Sequence, residues 1–192
     1  MKHATILSYV AMMLIATCSM LSAATAQDST SVKDTSVVVP FKDLPVRNIN
    51  AIGNKKTGLL TISMEFVNNW KDMVEATIRC TEWADFGITT DKDQKYKVPT
   101  SSSTYDQEKE NKGYKPVMDI QYGTVKLERV PILMQYLKSG VVSPLTIRIP
   151  GYDKTSKVIK EIHIRFSYSQ FGAGGFWSEG VYQINQLAID WK

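Results

Sequence analysis

Outside its first 26 residues the chain carries one histidine, His163, and one cysteine, Cys80. A Ser-His-Asp or Cys-His catalytic unit would therefore have to be built on His163. In the run "IHIRFSYS", however, His163 alternates with Ile162, Ile164 and Phe166. That spacing predicts an imidazole pointing outward from a strand beside Arg165. Cys80 closes "VEATIRC", where Val74, Ala76, Ile78 and Cys80 alternate with Glu75, Thr77 and Arg79. It reads as a small buried residue on the inner face of a strand rather than as a reactive thiol. One histidine and one cysteine are too few ligands for a zinc site of familiar type, and no metal is expected.

Carboxylates are the remaining candidates, since glycoside hydrolysis needs only a positioned pair. Glu65, Glu75, Glu82, Asp85, Glu128, Glu161 and Glu179 lie on or near strand patterns, and no spacing singles out two of them. Asp91, Asp93 and the nearby Asp85 offer oxygens that suit calcium. "DKDQKY" nevertheless lacks the third acidic ligand and the glycine of an EF-hand loop, so it reads first as a turn.

The most site-like stretch is "QFGAGGFWSEGVY", residues Gln170 to Tyr182, with Gly172, Gly174 and Gly175 around Phe176 and Trp177. No helix pattern and no Lys-Ser or Lys-Thr follows the glycines, which excludes a Walker loop and a dinucleotide fingerprint. No cofactor is expected. The segment joins two strand patterns and reads as a long hairpin loop whose glycines permit positive φ. Phe176 and Trp177 are expected to fold back over the end of the core. Exposed instead, with Tyr182 beside them, they would form an aromatic platform for a sugar ring or a protein partner.

The elements that position these residues are strands. Leu60, Ile62, Met64 and Phe66 alternate with polar residues, as do Leu145, Ile147 and Ile149, and Ile162, Ile164, Phe166 and Tyr168. Val37 to Phe41, Val46 to Ile52, Val117 to Tyr122, Val125 to Val130, Ile132 to Leu137 and Val181 to Trp191 are further candidates. "PILMQYLKS" also admits a short helix through Leu133 and Leu137, but the strand reading is preferred. Tyr182 and Ile184 share one parity and Leu187, Ile189 and Trp191 the other, which predicts a bulge at Asn185 and Gln186. With so little helix, the expected fold is all-β: two antiparallel sheets packed as an immunoglobulin-like β-sandwich, a closed barrel being the alternative. Thr89 to Asp93 is expected to be a turn, and Pro99 to Gly113 a mobile surface loop.

The N-terminal 26 residues have another composition. Lys2 and His3 precede an apolar stretch from Ala4 to Leu21, and Ala24, Thr25 and Ala26 complete a small-residue ending. This predicts a secretory signal peptide cut before Gln27, a flexible leader over Gln27 to Ser36 and a single domain from Val37 to Lys192. "LIATC" resembles the segment before the lipid-modified cysteine of bacterial lipoproteins but has Thr17 where Gly, Ala or Ser is expected, so an anchor at Cys18 is the disfavoured alternative. No other stretch reaches the ~20 apolar residues of a membrane span. Of 192 residues 23 are basic and 19 acidic, and the basic ones are scattered. There is no basic stripe for a phosphate backbone, which argues against nucleic acid as a partner.

The runs "GLLTISMEFVNNW", "ADFGITTDKDQKYKV", "VPILMQY" and "SPLTIRIPGYDKTSKVIKEIHIRFS" together resemble the secreted immunoglobulin-like β-sandwich proteins of unknown function of Gram-negative gut commensals. The resemblance spans roughly Leu59 to Ser167. It implies an exported sandwich, in the periplasm or at the cell surface, and brings no catalytic residue. The expected function is a noncatalytic module that holds a protein or glycan of the cell envelope by loop tips such as Gly172 to Glu179. A structural subunit that lends its leader strand "TSVVVPF" to another sheet, and a carboxylate hydrolase, are the alternatives.

Overall fold

The structure is a computed structural model that describes residues 34–80, 85–98, 118–127, 132–170 and 177–192, with the backbone alone at 114–115. The signal and lipobox segments, most of the leader, the 99–113 loop, Glu82, Glu128 and Phe176 lie outside these residues.

Fourteen strands and no helix are present among the described residues. In chain order they are β1 (Ser36–Val38), β2 (Val46–Asn54), β3 (Leu59–Val67), β4 (Val74–Arg79), β5 (Phe86–Thr90), β6 (Lys95–Lys97) and β7 (Tyr114–Lys115), then β8 (Asp119–Tyr122), β9 (Val125–Lys126), β10 (Ile132–Leu137), β11 (Val142–Ile149), β12 (Val158–Gln170), β13 (Trp177–Ala188) and β14 (Asp190–Trp191).

They form two open sheets. One runs β14-β2-β3-β11-β8-β9. The other runs β1-β13-β12-β5-β6-β7 and forks at β12: the first half of this 13-residue strand pairs with β5, the second half with β4, and β4 carries β10 on its far side. Every pairing is antiparallel except β14 with β2 and β6 with β7. The expected antiparallel sandwich is therefore what the chain forms, and the barrel alternative does not apply because neither sheet closes on itself or on the other.

The alternating residues of β3, β11, β12 and β13 fill the space between the sheets. Phe66 of β3 stacks on Phe166 of β12 with ring centroids 5.1 Å apart, and Tyr182 of β13 meets Phe66 edge-on at 5.0 Å. Phe41, just past β1, closes this end against Tyr168 at 4.9 Å. Each such ring removed from water contributes about 1.5–3 kcal/mol, so these contacts tie the two sheets together. At the opposite end Tyr96 stacks on Tyr152 at 5.2 Å, and the Trp191 ring lies where a side chain on Gly53 would stand.

The bulge expected at Asn185 and Gln186 is present. Gln186 has φ 58°, and the buried set passes from Tyr182 and Ile184 to Leu187 and Ile189. β12 changes parity at the same level, from Ile159 to Ile162, and its register with β5 shifts between Ile159 and Glu161. β5 itself was not evident in "FGITT", because all five of its residues are buried and no alternation marks it.

Candidate functional site

The outward face of the forked sheet carries a trough across β13, β12, β4 and β10. Registered rows explain it. One row reads Glu179, Ser167, Thr77, Met134, and the next reads Trp177, Ser169, Glu75, Tyr136. In the first row the small Ser167 and Thr77 of the two inner strands lie between the longer Glu179 and Met134 of the outer strands, and in the second Ser169 lies beside Trp177, a consequence of period-2 alternation in four antiparallel strands. The result is an open groove of about 350 Å³ lined by Glu75, Thr77, Arg79, Ile132, Met134, Ser167 and Trp177.

Its walls are apolar and wet. Trp177 is 52% exposed, Met134 45% and Ile132 38%. Its floor holds a polar group without a described partner: Thr77 is 6% exposed, and its Oγ1 is buried with no hydrogen bond among the described residues. A buried hydroxyl in that state costs roughly 1–3 kcal/mol, which a docked donor or acceptor could recover. Charges flank the groove. Glu179 lies between two guanidiniums, 3.5 Å from Arg79 and 3.4 Å from Arg165, and Arg165 continues to Asp85 at 2.9 Å.

The residues expected to form the aromatic platform part company. Trp177 is exposed at the start of β13 and does not fold back over the core. Tyr182 is a correction: it is fully buried, donates its hydroxyl hydrogen bond to the Leu44 carbonyl and packs on Phe66 and Phe166, so no ligand reaches it. Burial also raises its phenol well above the ordinary range. The reason is parity. β13 runs unbroken from Trp177 through Tyr182, and an offset of five residues on one strand puts Trp177 outward and Tyr182 inward. Phe176 falls outside the described residues.

The catalytic candidates are not brought together. His163 takes the outward parity of Glu161 and Arg165, yet it is covered, 9% exposed, with Nδ1 3.9 Å from Glu161. Cys80 belongs to the core on the other face, and burial, with help from the Asp85 charge, pushes its thiol up to about 12. The turn carboxylates are occupied by protein groups. Asp91 accepts from Ser156 Oγ and the Lys157 N–H, Asp93 pairs with Lys160, and Asp85 with Arg165. No three metal-ligating side chains converge among the described residues.

No family model matches the chain, and no curated protein matches its sequence. Among solved structures it is similar to an ASH/PapD-like domain of human CEP192, PapD-like domain 7, at 10% identity and a TM-score of 0.39, over 81% of this chain and 92% of that one.

Ile132, Met134, Thr77 and Ser167 were not singled out by sequence. The available signal was "ILMQYL", apolar on both faces of one strand, which is why it also admitted a helical reading. A strand apolar on both faces has something to cover on both.

Proposed function

We propose that the protein is an exported, noncatalytic interaction module of the cell envelope, and that it holds a protein partner in the trough between Trp177 and Met134. The observation that carries this reading is the exposed set Trp177, Met134 and Ile132 standing over the Thr77 hydroxyl, which has no hydrogen-bond partner among the described residues. Tryptophan and methionine are enriched at the buried centres of interfaces, and a floor hydroxyl adds direction to an apolar contact. A protein is favoured over a glycan because two of the three large walls are aliphatic: sugar rings stack on aromatic faces, and only Trp177 lines the groove with one. Export rests on the N-terminal segment and on the resemblance to secreted sandwich proteins.

The test is retention of envelope proteins on the immobilised chain, compared with a glycan array. Wild type is expected to retain a protein component that Trp177→Ala and Thr77→Val lose and that Ile52→Ala, on the other sheet, keeps. Equal retention by all four would exclude the trough. Array binding that depends on Trp177, without a retained protein, would make the ligand a glycan.

A further inference from the structure

We infer that the β10 edge is a self-association surface, on which a second copy of this chain lays its own β10 antiparallel about a two-fold axis at Met134. The inference starts from how differently the chain treats its sheet edges. An unpaired strand edge invites pairing with other chains, and folds blunt it by shortness, charge, proline or bulges. The other terminal strands here are short: β1 has three residues, and β7, β9 and β14 have two each. The part of β2 beyond β14 is broken by a register shift between Arg47 and Asn50, with Asn48 at φ 52°, and carries the Arg47 charge.

β10 has none of these devices. It pairs with β4 through six consecutive residues without a shift, and "ILMQYL" contains no charge, proline or glycine. Among the described residues no strand pairs with its far side. Its outward residues Ile132, Met134 and Tyr136 are 38%, 45% and 51% exposed. Among the described residues, this is the long terminal strand left regular and apolar, with no strand paired on its far side.

A second copy fits it by parity and by charge. Residues opposite each other across an antiparallel pair point to the same face, so the allowed symmetric registers match even positions with even ones. Centring the axis on Met134 pairs Ile132 with Tyr136 of the second copy and Leu133 with Gln135, and it puts the two Met134 side chains together. Arg79 is opposite Ile132 in β4 and Glu75 is opposite Tyr136. One row across the junction therefore reads Arg79, Ile132, then Tyr136 and Glu75 of the second copy, so the junction itself is uncharged and the nearest charges along the row are of opposite sign. The two troughs become neighbours on one continuous sheet, giving the dimer two docking sites side by side.

The experiment uses the full chain. Met134 is exposed, so replacing it leaves the core intact. Sedimentation of wild type is expected to show a monomer-dimer equilibrium, and Met134→Lys is expected to raise its dissociation constant by roughly tenfold or more, because two charges then meet at the axis. Across the axis the paired Cα atoms stand about 4.5–5.5 Å apart, within disulfide range. Met134→Cys should therefore yield, under mild oxidation, an intermolecular disulfide between the two introduced thiols, identified by peptide mapping, while wild type and Ile52→Cys stay at background. A wild type that is monomeric up to its solubility limit, a dimer indifferent to Met134→Lys, or absence of the mapped cross-link would each overturn the inference. Trp177→Ala, on the far wall of the trough from β10, is expected to leave the dimer unchanged while abolishing partner retention, so the two losses are read separately although Ile132 and Met134 belong to both surfaces.

Discussion

The guanidinium of Arg165 lies 2.9 Å from the carboxylate of Asp85, and the backbone N–H of the same arginine donates to the Asp85 carbonyl at 2.6 Å. This double fastening sits where β12 changes partner. Ile164 is opposite Phe86 of β5 and Phe166 is opposite Ile78 of β4, so Arg165 occupies the crotch of the fork. The Asp85 side chain is only 7% exposed, whereas Arg165 is 41% exposed. Arg165→Leu strips a cation from a nearly buried carboxylate and is expected to lower stability by about 2–3 kcal/mol. Asp85→Leu leaves the arginine able to turn to water and to Glu179, and should cost less. The double variant is expected to fall well short of the sum, which urea denaturation in a double-mutant cycle measures directly.

Tyr182 and Trp177 lie five residues apart on β13 and divide stability from recognition. Tyr182→Phe leaves the ring in place but removes the donor to the Leu44 carbonyl, with an expected cost of about 1–2 kcal/mol and no change in partner retention. Trp177→Ala is expected to do the reverse, shifting the urea midpoint little while abolishing retention. Paired unfolding and retention measurements on the two variants check both halves.

Much of the scaffold was legible because half-buried antiparallel strands write their pairing into sequence with period 2. β3 and β12 could be read from Phe66 and Phe166 outward, and the parity change at Gln186 located the bulge. β5 could not, since Gly87, Thr89 and Thr90 are as buried as Phe86 and Ile88, and a strand covered on both faces has no polar face to mark it. The trough was illegible for a different reason. It is made by residues drawn from four strands laid side by side, and Met134 and Thr77 are 57 positions apart in sequence but adjacent in space only because β10 lies beside β4. Tyr182 was misplaced by grouping it with Trp177, five residues away and therefore on the opposite face of the same strand. Composition marked the aromatic cluster, and parity decided which ring faced water.

Cys80 is buried among core residues with its thiol held up to about 12, so at neutral pH almost none of it is thiolate. Alkylation by iodoacetamide at pH 8 is expected to leave the Cys80 peptide unmodified in the native protein and to label it fully in denaturant. Mass-spectrometric peptide mapping distinguishes this site from Cys18. Native labelling at the rate of a model thiol would mean that the β4 end opens readily and that the core does not seal it.

Asp153 is the acid-sensitive fastener of the turn before β12. Its carboxylate accepts from Lys92 Nζ at 2.7 Å and from the Thr155 hydroxyl and N–H at 2.7 and 2.9 Å. The hydrogen bonds from Lys92 and Thr155 hold it well below the ordinary carboxylate value of 3.8. A carboxyl depressed in the folded state contributes stability that is present above its unfolded value and lost as pH falls through the folded one. The contribution of Asp153 is therefore complete above about pH 5 and disappears progressively below about pH 4. Because the group is partly exposed and its Lys92 partner is exposed, the effect is small and weakens with salt. Asp153→Asn is expected to lower the urea midpoint slightly at pH 7 in low salt and to converge with wild type toward pH 2. A gap between the two curves that widened in acid would reverse the sign and show that the carboxylate is not what fastens the turn.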